Sequence, residues 1–322
     1  ELAHALGMGH PHDGTTQFPG VSINDGQDGG DNNLNATPWS VLSYNVFPTN
    51  DLSPNFYSNY GFLENLGAFD IATAQYLYGP NLDTNFDDTT YFLDENTLNG
   101  FHTIWDAGGE DTIDASDSSE AVVIDLRNAT LKNEVGGGGF ISKIDYYYSG
   151  YSIAYNSTGN AVIEHATGSD KSDSIHGNEI NNFLHGALGN DTLQGSAGDD
   201  TIFGAEGDDH YVGGSGADVF VFDAGENFVV DFEVSDKIAV SFDSYNPYVS
   251  LDYLDIIIKD NNSNAELRLK EKGELYVDTD PNSYEWIFDS STYFGDEEDG
   301  EEVDQGDVDD DYSDELLHDG FD

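Results

Sequence analysis

Two groups of side chains in this sequence have the types and spacing of metal ligands. One group is a row of acids, because position six of six consecutive nine-residue blocks holds Asp or Asn. These residues are Asp173, Asn182, Asp191, Asp200, Asp209 and Asp218. The other group is Glu1, His4 and His10, at the start of the sequence. Repeated carboxylates suit Ca²⁺, whereas imidazoles at helical spacing suit Zn²⁺.

The nine-residue period, which runs from Gly168 to Val221, predicts a stack of turns. Position one of every block is Gly, which reaches the positive φ values of tight turns. Position eight is always large and apolar, with Ile175, Leu184, Leu193, Ile202, Tyr211 and Phe220. A single block cannot bury its own apolar residue, so stability requires the stack. The pattern therefore predicts a parallel β-roll with position eight pointing inward.

The acid row predicts calcium between the turns. Carboxylates brought close together repel one another, and a hard cation with oxygen ligands resolves this. The predicted calcium contacts in the repeats are Asp173, Gly186, Gly189, Asp191, Gly195, Gly198, Asp200, Gly204, Gly207, Asp209, Gly213, Gly216 and Asp218. Asn182 departs from the pattern and the first two blocks lack Gly at position four, so weaker or missing sites are expected there. The alternative is a merely glycine-rich acidic loop.

The first ten residues match most of a zinc-binding pattern, H-E-x-x-H-x-x-G-x-x-H. Glu1, His4, Gly7 and His10 fit it, and the His that would precede Glu1 is not in the sequence. Residues four apart share one helix face, so that His and His4 would face one metal ion. Gly7 would end the helix and let His10 return as the third ligand. The alternative is an ordinary helix start with scattered histidines.

Further segments carry a family resemblance. Ser40–Asn45 (SVLSYN) is similar to the turn beneath the zinc site of metzincins, with Leu42 in place of their Met. Residues 69–81 are similar to the helix that ends the catalytic domain, and their apolar spacing suits a buried helix stopped at Gly79-Pro80. The chain thus resembles the C-terminal part of a serralysin-type zinc metalloprotease over nearly its whole length to Phe294.

This resemblance implies an α+β chain, in which the C-terminal part of a metzincin catalytic domain precedes an all-β parallel β-roll. The expected divisions are 1–80 for the catalytic part, 81–102 for a connector, 103–294 for the roll and 295–322 for a disordered acidic tail. Within the roll, the repeats span 168–221 and closing strands span 222–294. Residues 103–114 resemble the start of the family's roll, where Asp106, Gly108, Gly109 and Asp111 are expected calcium contacts or, alternatively, a surface turn.

The resemblance also implies roles for the residues near the zinc site. His4, His10 and Tyr44 are the expected zinc ligands, and Glu1 and Tyr44 the expected catalytic residues. Glu1 would be the general base, and Tyr44 would assist the transition state unless it is simply a core aromatic. The sequence as given is expected to hydrolyse protein weakly or not at all by itself, because the first zinc His is missing. The competing function is a non-enzymatic secreted calcium-binding protein, such as an adhesin or an inactive protease relative.

Composition limits the partners. Nine Lys and Arg stand against 64 Asp and Glu, for a net charge of −55, which excludes a general nucleic-acid binder. Cysteine is absent, and no apolar run is long enough to span a bilayer. The expected partners are protein or peptide substrates and a one-step ABC (type I) secretion channel, for a secreted monomer. The 295–322 tail could carry the export signal or be a linker. His176, His185 and His210 are expected to be solvent-facing turn residues.

Overall fold

Nine-residue blocks fold into single short strands that lie alternately in two sheets. The structure, a computed structural model, describes residues 2–12, 18–22, 28, 30–36, 39–43, 63–147, 149–156, 162–222, 224–233 and 235–240, and the backbone of three later strands. Helices are α1 (Leu2–Ala5) and α2 (Ala68–Tyr78), with a 3-10 turn at Asp31–Asn33. The strands are β1 (Thr90–Phe92), β2 (Phe101–Ile104), β3 (Thr112–Asp114), β4 (Val122–Asp125), β5 (Ser142–Ile144), β6 (Gly150–Ile153), β7 (His165–Thr167), β8 (Ser174–His176), β9 (Phe183–His185), β10 (Thr192–Ala197), β11 (Thr201–Phe203), β12 (His210–Ser215), β13 (Val219–Phe222), β14 (Glu226–Val229), β15 (Lys237–Val240), β16 (Pro247–Asp252), β17 (Asp255–Asp260) and β18 (Glu266–Leu269).

The two sheets make a parallel β-solenoid. One sheet has the order β1-β3-β7-β9-β11-β13-β15, and the other β16-β17-β18-β14-β12-β10-β8-β4-β5-β6-β2. Successive strands from β7 to β15 alternate between them, so one full coil contains 18 residues. Parallel register places Leu193 beside Tyr211 and Ile202 beside Phe220. The predicted β-roll is confirmed, and the described part of the chain is mostly β.

The core is the predicted apolar ladder. All six position-eight side chains are at most 1% exposed, from Ile175 to Phe220. They join one buried cluster with residues before and after the repeats, among them Ile113, Ile124 and Val229. Burying a side chain of this size stabilises the folded state by about 1.5–3 kcal/mol relative to leaving it exposed. An isolated three-residue strand could not bury its side chain in this way.

Two hydrogen-bond ladders, running in opposite directions, join each coil to the next. In the inner ladder, the position-six amide donates to the position-six side chain 18 residues later, as in Asp191 to Asp209 at 2.9 Å. In the outer ladder, the position-five side chain accepts the amide 18 residues later, as Asn190 does from Asp208 at 3.1 Å. The role of position six was predicted from the repeat, whereas that of position five was not.

Position four is glycine where one coil lies against the backbone of the previous one. Gly207 has φ +149°, and a Cβ there would collide with the carbonyl oxygen of Gly189. Lys171 and Ile180 hold position four in the first two blocks and are the residues on which the next coil rests. This explains why those two blocks dispense with glycine.

The solenoid extends beyond the predicted repeats in both directions. The Asp209 amide donates to Asn227 and the Asp218 amide to Asp236, so the 18-residue register continues after Val221. The expected closing strands therefore include two further coil segments, β14 and β15, before the antiparallel strands β16 to β18. Strand β1 lies within 81–102 and β2 begins at Phe101 and runs past its end, so the expected connector contributes to both sheets.

The helix α2 forms where it was predicted, but it is less buried than expected. It ends where the Gly79 amide bonds the Gln75 carbonyl at 2.8 Å, as the Gly79-Pro80 stop predicted. The expectation of a buried helix is wrong, because Ala68 and Asp70 are its buried residues and Tyr76 is 90% exposed. The metzincin catalytic part is not established by the described residues, which contain one other short α-helix, α1. None of the described helices has the length and apolarity needed to cross a membrane.

Candidate metal centres

His4 and His10 converge on one point. Nε2 of His4 lies 3.1 Å from Nε2 of His10, and the ring centroids are 4.6 Å apart in an edge-to-face arrangement. His4 lies in the last turn of the helix α1 and His10 follows the turn at Gly7, whose φ is +88°. The spacing argument for a helix, a glycine turn and a returning imidazole therefore places these two nitrogens together as predicted.

The other ring nitrogens fix which nitrogen carries the proton. Nδ1 of His4 lies 2.9 Å from the Met8 carbonyl, and Nδ1 of His10 lies 2.6 Å from the Leu42 carbonyl. Carbonyls can only accept, so both Nδ1 atoms carry hydrogen, and each ring in its neutral form turns an Nε2 lone pair toward the other. Two facing lone pairs repel unless a cation lies between them. Two nitrogens of one tetrahedral zinc ion lie about 3.3 Å apart, so the pair fits zinc.

Leu42 packs against the segment that carries the two histidines and orients His10. It is 5% exposed and packs in a small buried cluster with Ala3 and Met8. Its carbonyl accepts from His10, so the turn that carries Leu42 also orients the imidazole. Leucine fills the apolar position that the resemblance assigns to methionine, and its backbone makes the contact with the histidine.

The remaining expected zinc-site residues cannot be placed. Glu1 and Tyr44 both lie outside the described residues. Within the part of the chain that is described, no group of three or more His, Cys, Asp or Glu is arranged to hold a metal ion. The structure thus brings together His4 and His10, and leaves the third ligand and the general base as predictions.

The acid row forms a buried ladder with oxygens that lack partners. Asp191, Asp200 and Asp218 are each at most 1% exposed, and one oxygen of each, Oδ2, has no hydrogen-bond partner. Each of these oxygens occupies the space beside the position-one glycine of its own block, where a Cβ would collide with it. Unpaired buried carboxylate oxygens beside turn carbonyls are the oxygen-rich setting that Ca²⁺ takes, so these residues fit a calcium ion.

Burial makes these carboxyls hard to ionise without a cation. It raises the pKa of Asp191 and of Asp200 to about 7, with smaller contributions from neighbouring acids. Burial also raises the pKa of Asp173 and of Asp218. Hydrogen bonds from backbone amides oppose the shift, yet desolvation is the larger cause in each case.

In the first two blocks, the position-six side chains already have hydrogen-bond partners. Ser169 donates from its hydroxyl to Asp173, at 3.0 Å to Oδ2. Asn182 donates from Nδ2 to the Glu164 carbonyl at 3.0 Å and to Asn178 Oδ1 at 3.2 Å. Hydrogen-bond donors therefore stand in these turns, whereas Asp191, Asp200 and Asp218 each keep a buried oxygen without a partner. The weaker calcium sites expected in the first two blocks stay a prediction.

A second acidic group lies where the stack begins. Asp111 is fully buried, its Oδ2 has no partner, and burial together with Asp106 and Glu164 raises its pKa. The turn between Asp106 and Asp111 contains Gly108 and Gly109, with φ +145° and +128°. The Asp111 amide donates to Oε2 of Glu164 at 2.9 Å. These contacts support the predicted group at Asp106, Gly108, Gly109 and Asp111.

Glu164 was missed in the sequence. It lies nine residues before Asp173 and therefore holds position six of one more block upstream, with Ala166 at position eight. Extending the nine-residue register by one block would have found it.

The three repeat histidines lie on strands, so their assignment to turns is wrong. His176 ends β8 and His185 ends β9, both half-buried, and His210 begins β12. The ring of His185 stacks on Phe203, with centroids 5.0 Å apart. Burial lowers the pKa of His176 and of His185.

A family of calcium-binding repeats matches the segment that forms the solenoid. The family described as the RTX calcium-binding nonapeptide repeat (4 copies) matches residues 158–193 and 185–220. Among solved structures, the AlgE6R3 subunit of the Azotobacter vinelandii mannuronan C5-epimerase aligns with a TM-score of 0.29 and 22% identity, over 45% of this chain and 93% of that one.

Curated relatives include several serralysins. Serralysin C of Dickeya chrysanthemi is 34% identical over 148 residues, which cover 42% of this chain and 29% of that protein. Metallopeptidase AprA of Pseudomonas marginalis is 32% identical over 152 residues, covering 42% and 30%. The chain thus spans less than a third of the length of these relatives. It carries RTX calcium-binding repeats and is, over 42% of its length, a relative of the serralysin metallopeptidases.

Proposed function

We propose that this protein is a secreted zinc-dependent endopeptidase supported by a calcium-bound β-roll. The observation that carries the proposal is the 3.1 Å approach of the His4 and His10 Nε2 atoms, with both Nδ1 atoms bonded to carbonyls. With both Nδ1 atoms bonded to carbonyls, neutral rings leave two Nε2 lone pairs facing each other, and a shared metal ion satisfies that arrangement. The relationship to proteins named as serralysins and metallopeptidases supports the same conclusion.

In this proposal the chain's own residues have separate tasks. His4 and His10 hold zinc through Nε2, Tyr44 is a further ligand, and Leu42 fixes the orientation of His10. Bound zinc would supply Lewis acidity toward a peptide carbonyl and a more acidic water. Glu1 would accept a proton from that water as general base and return it to the leaving amine. Tyr44 would donate a hydrogen bond to the oxygen that gains charge.

The roll has its own task, which is to fold where calcium is abundant. Extracellular calcium modules bind with dissociation constants of roughly 10⁻⁴–10⁻³ M, far above cytosolic calcium. The acid ladder would keep the repeats unfolded inside the cell and let them fold after export by a type I secretion channel. The folded roll would then support the protease part.

The test measures zinc and hydrolysis together, on the protein as its gene encodes it. The expected result is binding of one zinc ion, casein hydrolysis that a zinc chelator abolishes, and loss of both in His10→Ala. His176→Ala is the matched control, because it removes a half-buried imidazole from the roll and should retain both properties. Calcium-dependent folding without zinc-dependent hydrolysis would overturn the enzyme and favour the non-enzymatic calcium-binding protein.

A further inference from the structure

The carboxylate of Asp70 ties the helix α2 to the turn beneath His10. Asp70 is 3% exposed, and its two oxygens accept three hydrogen bonds. Oδ1 accepts from the Ser40 hydroxyl at 2.7 Å, while Oδ2 accepts from the Val41 amide at 2.7 Å and the Gly67 amide at 3.0 Å. Two of the three donors belong to the turn, and the third begins the helix.

The turn passes this constraint to the imidazole. The Ser40 hydroxyl that donates to Asp70 also accepts from the Leu42 amide, at 3.1 Å. The Leu42 carbonyl accepts from Nδ1 of His10 at 2.6 Å. One continuous chain of short hydrogen bonds therefore runs from Asp70 through Ser40 and Leu42 to His10.

The helix end is docked firmly enough to act as an anchor. The Phe69 amide donates to the Trp39 carbonyl at 3.1 Å, and a Cβ at Gly67 would collide with that same carbonyl. Before the helix, Asn65 exchanges two hydrogen bonds of 2.9 Å with the backbone of Thr103 in β2. The position of Asp70 is therefore set by the sheet as well as by its own helix.

A carboxylate is the group that this arrangement requires. Ser40, Val41 and Gly67 all present donors, and an ionised carboxylate accepts at both oxygens. An Asn side chain of the same shape would turn its NH₂ group toward either the hydroxyl or the two amides. A buried donor facing donors loses their hydrogen bonds and leaves polar groups unsatisfied in the interior.

We propose that Asp70 is a positioning residue for the zinc ligand His10, acting through the Ser40–Leu42 turn. The inference rests on the proposed zinc site and extends it, because Asp70 belongs to neither the histidine motif nor the turn itself. Groups that orient metal ligands from outside typically contribute a factor of about 10–100 to metal affinity. Asp70 touches neither substrate nor metal, so its effect is on the geometry of the ligand.

Zinc affinity of the full-length protein, measured by competition with a chromophoric chelator in saturating calcium, tests the proposal. Asp70→Asn should weaken zinc binding about 10- to 100-fold and change the visible spectrum of the cobalt-substituted protein. Ser40→Ala, which keeps the Val41 and Gly67 contacts, should do so to a smaller extent. If Asp70→Asn fails to fold, Ser40→Ala still tests the positioning role.

Asp94→Asn is the matched control. Asp94 is also a buried aspartate, and it accepts from the Asn96 and Thr97 amides away from the histidines. The Asp94→Asn variant should have a lower thermal midpoint. Its zinc affinity should stay within about twofold of that of the unmodified protein, because the two sites are independent. Unchanged zinc affinity in both Asp70→Asn and Ser40→Ala, or an equal loss in Asp94→Asn, would overturn the positioning role. Absence of zinc binding by the unmodified protein would instead overturn the proposed function, and the role of Asp70 with it.

Discussion

The backbone amide of Asp173 donates to Oδ1 of Asp191, 18 residues later, at 2.8 Å, while Oδ2 of Asp191 is buried without a partner. The same carboxylate thus joins two coils with one oxygen and offers the other to a cation. This division recurs at Asp200 and Asp218. It makes the solenoid's backbone order and its calcium affinity depend on the same side chains.

Replacing Asp200 by Asn separates these two tasks. The variant keeps an Oδ1 that can accept the Asn182 amide, and it removes the charge that calcium requires. We expect fewer bound calcium ions by calorimetry and a calcium midpoint for folding raised about tenfold, because ligand charge sets calcium affinity. Asp208→Asn is the control, since that side chain is exposed and lies on the outer ladder. An equal shift of the calcium midpoint in both variants would contradict the assignment of Asp200 as a calcium ligand.

The opposite change at Asn182 should create a calcium site. Its Nδ2 now donates to the Glu164 carbonyl and to Asn178 Oδ1, and Asn182→Asp replaces that donor with an oxygen facing two acceptors. At a calcium concentration that folds the parent protein but does not fill the new site, the variant should be less stable by about 1–3 kcal/mol. With saturating calcium it should bind more ions than the parent protein in calorimetry. A variant that loses stability in both conditions and binds no additional ion would refute the idea that the amide stands in for a cation.

The buried aspartates give the metal-free protein an unusual pH dependence. An aspartate in the unfolded chain has a pKa near 3.9, and burial raises the pKa of Asp191 and of Asp200 to about 7. Between about pH 4 and 7 the folded state therefore binds protons that the unfolded state releases, so its stability falls as pH rises.

Thermal unfolding with chelator should show a midpoint at pH 5.5 that falls as the pH rises, until little folded protein remains at pH 7.5. With saturating calcium, which holds the ionised form, the midpoint should lose this dependence. A metal-free midpoint that is level or rises over the same range would show that the ladder is not held protonated.

A substitution at position four tests how closely one coil packs on another. Gly207→Ala would force a positive φ on alanine and push its Cβ into the Gly189 carbonyl. We expect a loss of more than about 1–2 kcal/mol in the free energy of unfolding, measured by urea denaturation in calcium. Gly9→Ala is the control, because a Cβ there meets no atom within 4 Å. Similar stability of both variants would contradict the close approach.

The sequence predicted what depends on period and spacing. A strict nine-residue repeat is enough to assign the solenoid, the inward ladder and the row of acids at the turns, because each block has the same surroundings. The convergence of His4 and His10 followed from helical spacing and one glycine. These features depend on residues near one another in the chain or on a repeated contact.

What the sequence did not predict depends on contacts between distant segments. Glu164 and Asp236 extend the solenoid in blocks that have Val162 and Val234 in place of glycine at position four, so the register was not carried far enough. The exposed face of α2 has apolar residues that the helical pattern assigned to a core. Asp70 gave no signal, since a single aspartate in a helix becomes informative when the turn that it holds is known.

The account depends on calcium making the buried acid ladder stable, and far-ultraviolet circular dichroism during a calcium titration tests this most directly. The predicted result is little β signal in chelator at pH 7.5 and a cooperative gain that reaches its plateau at roughly millimolar calcium. Magnesium at the same concentration should reproduce little of the gain, because it demands octahedral geometry and dehydrates reluctantly. An equally strong β signal in chelator and in calcium would contradict the account.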